Sequence, residues 1–226
     1  MDLTGEEAPE LRTLQTFYYF PTAVCADEKP EFLEDMSAVC ADALAKRREE
    51  QPELNEIYPV YMTGNLLDDP RCEKFAAYIG QTAWEVLRDQ GYNGDTFRTS
   101  LTEMWCQEHH KHSAMEQHVH GGGVQIVGFY FLDCPADSSR VIFHDPKAGK
   151  VQIGLPEADP AVATYASNMV NFEPRPGLVL FANSWLPHSF SRHASDEALR
   201  FIHFNLSVVG VPHACPAPCQ PAPEIV

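Results

Sequence analysis

From Phe97 to Val209 the chain alternates short runs rich in Val, Ile, Phe and Tyr with turn-forming residues, and this punctuation constrains the fold most. Phe97 to Gln107 alternates in part, then meets Glu108-His109-His110-Lys111-His112, a polar turn whose histidines are expected in solvent. The run after Gly123 reaches Asp133 before Pro135 breaks it, and Arg140 to His144 stops at Asp145-Pro146. Val151 to Ile153 and Asn168 to Phe172 are further short strands. Pro174-Arg175-Pro176-Gly177 then turns the chain into the buried strand Leu178-Val179-Leu180-Phe181. Ser189 to Arg192 and the long Leu199 to Val209 complete the set. Many short strands without an internal repeat predict two packed sheets, a jelly roll.

Two helices precede most of the strands, so the fold class is mainly β with N-terminal helices that buttress a sheet. The first has Pro30 in its opening turn and an apolar stripe of Phe32, Met36, Val39, Cys40, Ala43 and Leu44, running to Lys46. Asp69-Pro70 opens the second, which continues through Phe75, Ile79, Ala83, Val86 and Leu87 until Gly91. Ahead of both, Leu14 to Cys25, with Phe17-Tyr18-Tyr19-Phe20 before Pro21, reads as a strand. Residues 1–12 form an acidic leader, 13–210 one domain, and 211–226 a proline-rich tail.

Composition narrows the partners. With 32 acidic and 16 basic residues the formal charge is −16, a surface that repels phosphate backbones and anionic lipid. No nucleic-acid or membrane partner is expected, and the oligomeric state is not encoded in any pattern. The start, Met1-Asp2-Leu3-Thr4-Gly5-Glu6-Glu7, lacks the basic and apolar regions of a secretory signal, so a cytoplasmic protein is expected. Seven cysteines, at 25, 40, 72, 106, 134, 215 and 219, are odd in number and lack a disulfide spacing. His213, Cys215 and Cys219 are too loosely spaced to argue for structural zinc.

The chemistry concentrates in Gln117-His118-Val119-His120-Gly121-Gly122-Gly123. Two histidines two residues apart on an extended segment share a face, with Cα atoms roughly 6.5–7 Å apart, and both imidazoles can reach one metal. A third, His188, follows the buried strand by a few residues and stands 70 positions beyond His118, a separation that lets several strands return to the same end of a sandwich. Twelve residues later Arg200 opens the last strand among Leu, Phe and Ile. Such an arginine either grips a carboxylate with its planar fork or forms a structural ion pair with a protein acid. Two close histidines, a distant one and a strand arginine together suggest an iron site with an organic-acid cosubstrate.

These residues carry a family resemblance. H-x-H, the G-F-Y-F strand at 128–131, F-x-D-P at 143–146, P-x-P-G-L-x-L-F at 174–181, S-W-L-x-H at 184–188 and R-x-x-x-F-N at 200–205 are similar to the iron(II)/2-oxoglutarate oxygenases of bacteria, phages and marine genomes, a branch related to the prolyl-4-hydroxylase-like group. The resemblance reaches back to Phe20-Pro21. It implies a double-stranded β-helix, Fe(II), O2, and decarboxylation of 2-oxoglutarate to succinate and CO2 coupled to hydroxylation of a small-molecule or peptide substrate. It also implies His118 and His188 as iron ligands, Arg200 as the cosubstrate arginine, and Tyr130 as a hydroxyl aimed at the same carboxylate.

The usual triad contains a carboxylate, where this chain has His120. Either three histidines bind the metal, which the spacing favours, or Glu116 or Asp145 supplies the carboxylate. Two other function classes fit part of the pattern. One is a cupin-type dioxygenase or isomerase independent of 2-oxoglutarate, although Val124 and Gln125 stand where cupins carry glutamate. The other is a non-catalytic β-sandwich binding protein, which leaves Arg200 without a role.

Overall fold

Alternation along the strands sorts side chains between two interiors. The computed structural model describes residue 15, residues 17–152 and residues 154–211. Among the described residues there are ten strands: β1 (Val24–Glu28), β2 (Val60–Met62), β3 (Phe97–His109), β4 (Met115–His118), β5 (Val124–Asp133), β6 (Val141–His144), β7 (Met169–Phe172), β8 (Leu178–Asn183), β9 (His188–Phe190) and β10 (Leu199–Gly210). A six-stranded sheet has the order β1-β8-β5-β10-β3-β2, and a four-stranded sheet the order β4-β9-β6-β7. Every strand pair is antiparallel.

The larger sheet is buried on both faces. Along β5, Ile126, Tyr130 and Leu132 point to the helices, while Val127, Phe129 and Phe131 point to the smaller sheet. The same split runs along β10, with Ile202, Phe204 and Leu206 toward the helices and Leu199 and Phe201 between the sheets. Gly128 lies where β5 crosses under Phe204. A Cβ there would collide with the Phe204 ring and the Leu180 carbonyl, so the aromatic ring occupies the space of a side chain.

The helices form as their stripes predict. A 3-10 turn, Pro30–Phe32, leads into α1 (Leu33–Glu50), which buries Met36, Val39, Cys40 and Leu44. Before α2 (Glu73–Asp89), the Asp69 carboxylate accepts a hydrogen bond from the Arg71 backbone N–H at 2.9 Å, and Pro70 starts the turn. Gly91 ends the segment with φ at 90°, a conformation favoured by glycine. No helix among the described residues is long and apolar enough to cross a membrane.

Three expectations are corrected, and one strand was not foreseen. The aromatic stretch 17–20 is not a strand: β1 begins only at Val24, and the four rings are exposed. Ala148–Gln152 is a 3-10 turn where a strand was expected from Val151; Ile153 lies outside the described residues. The three-residue β2 left no sequence signal and exists because it pairs with the end of β3. Finally, β3 runs on through His109, so Glu108 and His109 are fully buried instead of turning in solvent. The acidic leader, residues 212–226 of the tail and the His213, Cys215 and Cys219 cluster lie outside the described residues.

Candidate metal centre

Cross-strand pairing brings the first two metal-ligand candidates together. His118 closes β4 and lies opposite His188, the first residue of β9. His120 follows two residues later in a loop held by its own hydrogen bonds. Its backbone N–H donates to the Ser184 carbonyl at 3.0 Å, and Ser184 in turn donates from its N–H to Gln125 O and from its hydroxyl to Val124 O. Gly122 and Gly123, with φ of 65° and 90°, make the tight return from the loop into β5. The ring centroids are 4.4 Å apart for His118 and His188, and 5.2 Å for each pair with His120.

Each histidine can present one ring nitrogen to a common point, and those ligand nitrogens lie within 4.8 Å of one another. His118 Nδ1 meets the Glu116 carbonyl at 2.8 Å, and His188 Nδ1 the Leu186 carbonyl at 3.0 Å. A carbonyl only accepts, so Nδ1 carries the proton in both rings and Nε2 keeps its lone pair. The Nε2 atoms of His120 and His188 are buried without a partner. Unpartnered buried polar atoms cost about 1–3 kcal/mol each, which a metal ligated there would offset. Burial, reinforced by the neighbouring rings, drives His188 down to about 3 against the opposing Leu186 bond. Burial and then His118 bring His120 down to about 4. Both are therefore neutral near pH 7, the form that binds metal. The residues present fit a divalent metal held by nitrogen.

The alternative carboxylates are elsewhere. Asp145 accepts from Lys150 Nζ at 2.8 Å and from the Lys147 backbone N–H. Glu116 offers its backbone carbonyl to His118 while its side chain is exposed. Among the described residues, the triad of histidines is the group of His, Cys, Asp and Glu able to share an ion.

Arg200 and Tyr130 do not reach the triad. Both sit on the helix-facing side of the larger sheet, one position out of phase with the inner face. Arg200 donates to the Glu108 carboxylate and, at 2.8 Å, to Asp133. Arg48 of α1 and His110 engage the same Glu108. Burial alone would raise the Glu108 carboxyl, yet bonds from His110, Arg200 and Arg48 hold it down at about 2. Tyr130 donates to the Lys29 carbonyl at 2.7 Å and packs against Phe75.

What does line the inner face beside the triad is a set that the sequence did not single out. His203 of β10 lies 5.0 Å from the His120 ring and 4.3 Å from Trp105, with both ring nitrogens buried and unpartnered. Asn205 donates to Glu103 at 2.7 Å and leaves its own oxygen unpartnered. Phe129 stands edge-on to His188 at 5.5 Å and shields it from water. The available signal was alternation: Phe201, His203 and Asn205 share a face that excludes Arg200.

Residues 103–205 match a family model described as "Putative 2OG-Fe(II) oxygenase". The fold is similar to an oxidoreductase of the 2OG-Fe(II) oxygenase family from Burkholderia pseudomallei, at 13% identity over 77% of each chain and a TM-score of 0.53. It is also similar to AviO1 from Streptomyces viridochromogenes Tue57, at 15% identity over 87% of this chain and 93% of that one, TM-score 0.58. A third similar structure is HygX from Streptomyces hygroscopicus with nickel and 2-oxoglutarate bound, at 12% identity, 82% and 83% coverage and TM-score 0.51. No curated protein matches. The two facing sheets are the double-stranded β-helix of these oxygenases.

Proposed function

We infer that this chain, whose residues 103–205 carry the 2OG-Fe(II) oxygenase family match, is an Fe(II)- and 2-oxoglutarate-dependent dioxygenase that hydroxylates a small molecule or a peptide and releases succinate and CO2. His118, His120 and His188 are the proposed iron ligands. One observation carries the assignment: three imidazoles converge on a common point, with the Nε2 atoms of His120 and His188 buried and left without partners. HygX, similar in fold, binds nickel and 2-oxoglutarate, which supports a divalent metal with the same cosubstrate here.

When bound, Fe(II) with 2-oxoglutarate supplies the dioxygen chemistry that no side chain offers. The protein's part is positional. The Glu116 and Leu186 carbonyls fix two ligand rings, the Ser184 bonds hold the loop of the third, and Phe129 keeps water from one side. His203 and Asn205 supply unpartnered polar atoms beside the triad, where an oxygen-rich ligand can use them. Arg200, tied to Glu108 and Asp133, serves the sheet rather than the cosubstrate in this proposal. An intracellular, reducing setting suits both Fe(II) and the free Cys25, Cys40, Cys72, Cys106 and Cys134.

Anaerobic loading followed by exposure to oxygen tests this. Wild type should bind one iron per chain and form succinate only with Fe(II), 2-oxoglutarate and O2. His188→Ala should lose iron at least tenfold, whereas Asp145→Ala should keep it. Unchanged iron content in His188→Ala would refute the triad. Oxidised product formed without 2-oxoglutarate would favour the cupin-type alternative, which the outward placement of Arg200 keeps in view.

A further inference from the structure

His188 opens β9, a strand of only three residues that follows the turn after β8. On its β4 side the ladder is irregular: Met115 lies opposite Phe190 and His118 opposite His188, with a register shift between the two pairs. On its β6 side the ladder is unbroken, with Phe143 opposite His188, Ile142 opposite Ser189 and Val141 opposite Phe190. The place of His188 in the smaller sheet is therefore set from β6.

The last residue of β6 grips both chain neighbours of His188. The His144 backbone N–H donates to the Pro187 carbonyl at 2.9 Å, and His144 Nε2 lies 2.9 Å from Ser189 Oγ. Both are distances of formed hydrogen bonds. Proline has no N–H, so the carbonyl is the one backbone group through which position 187 can be held. Alternation turns Phe143 and His188 inward, their ring centroids 6.1 Å apart, and leaves His144 and Ser189 on the outer face. The bracket thus closes behind the peptide that carries His188 without entering the space around the triad. The Leu186 carbonyl, 3.0 Å from His188 Nδ1, sets the rotation of the ring, and His144 sets the backbone from which that ring hangs. A ligand nitrogen stands at the far end of its side chain, so a small backbone tilt becomes a larger displacement there. Ligand constellations tolerate only about 0.5 Å of such error.

We propose that His144 is a positioning residue for the metal centre, holding His188 in ligating geometry through its paired bonds to Pro187 and Ser189. The proposal rests on the triad reading above and adds to it a residue that acts only through the backbone on either side of His188. An apolar residue at 144 would keep the bond to Pro187 and lose the one to Ser189, so the imidazole carries the specific part of the role.

The test uses Co(II) as probe on the full chain, with affinity measured by chelator competition and visible absorption recorded on the loaded protein. His144→Leu and Ser189→Ala should each weaken Co(II) binding about threefold to tenfold, less than the roughly tenfold to hundredfold typical of groups bonded to a ligand itself. Both should also move the Co(II) absorption bands, which report the geometry of the ligands. The double variant should bind no more weakly than the weaker single one, because the same bond is lost in all three. His144→Gln, whose amide can bond to Ser189, should stay within about twofold of wild type. Wild-type Co(II) affinity and spectrum in His144→Leu and Ser189→Ala, with only a lower melting temperature of the metal-free chain, would reveal a mere tie between strands and overturn the proposal. Losses that add in the double variant would overturn it as well. Failure of wild type to bind Co(II), or undiminished binding in His188→Ala, would instead strike the triad reading itself, so the two failures are distinguishable.

Discussion

Arg200 shows how much one residue's direction decides. Its guanidinium completes a cluster in which a fully buried carboxylate is shared by Arg48, His110 and Arg200, joining α1, β3 and β10. Removing one of three donors leaves Glu108 partly paired. We therefore expect Arg200→Ala to lose about 1–3 kcal/mol of stability, less than the breaking of an isolated buried pair. Its affinity for 2-oxoglutarate, titrated into the iron-loaded and demonstrably folded variant, should stay within twofold of wild type. A thirtyfold or larger loss would return the cosubstrate role to Arg200. The histidines were legible in the sequence because a chelating pair is defined by spacing alone. The partners of Arg200, Glu108 and Asp133, were not, because they come from strands far away in sequence. A one-residue change of phase exchanges the helix side for the inner side.

At the scale of elements, sequence succeeded where a local pattern and a tertiary need coincide. α1 and α2 follow from their apolar stripes and from Asp69-Pro70, and β5 and β10 from long apolar runs. It failed where pairing is supplied from afar. β2 is three residues long and is defined by its neighbour, while 17–20 has strand-forming side chains and no strand beside it. Gly128 belongs to the second group, since only the packed structure explains it. Gly128→Ala should destabilise by about 2–4 kcal/mol, because the Phe204 ring and a strand carbonyl must both move to admit a methyl group. Chemical denaturation would register this as a lower midpoint, and a wild-type midpoint would show that β5 and β10 can separate cheaply.

For the whole molecule, the Glu108 cluster predicts how folding responds to acid. Its carboxyl is held at about 2, below the ordinary value near 4.3. A depressed native pKa gives stability that is fully present above the unfolded value and lost as pH falls through the native one. The loss should therefore fall between about pH 5 and pH 2 and amount to roughly 2–3 kcal/mol. Acid also relieves the repulsion of a chain with a formal charge of −16, which acts in the opposite direction. Comparison with Glu108→Gln separates the two: melting temperatures measured across this range should fall more steeply for wild type than for the variant. Parallel profiles would mean that Glu108 is already protonation-silent in the native protein.

The strand order of the larger sheet carries a consequence for how the chain acquires its structure. β10, the last strand in sequence, lies between β5 and β3, which are not neighbours of each other. No segment that stops before residue 199 can assemble the centre of that sheet, however well its helices form. β3 and β5 must wait, each with an open edge, for a partner about a hundred residues and about seventy residues further on. Such long-range closure is slow compared with helix formation and leaves apolar edges available for mispairing while it is pending. A nascent chain of this protein therefore keeps those edges open to mispairing until β10 inserts.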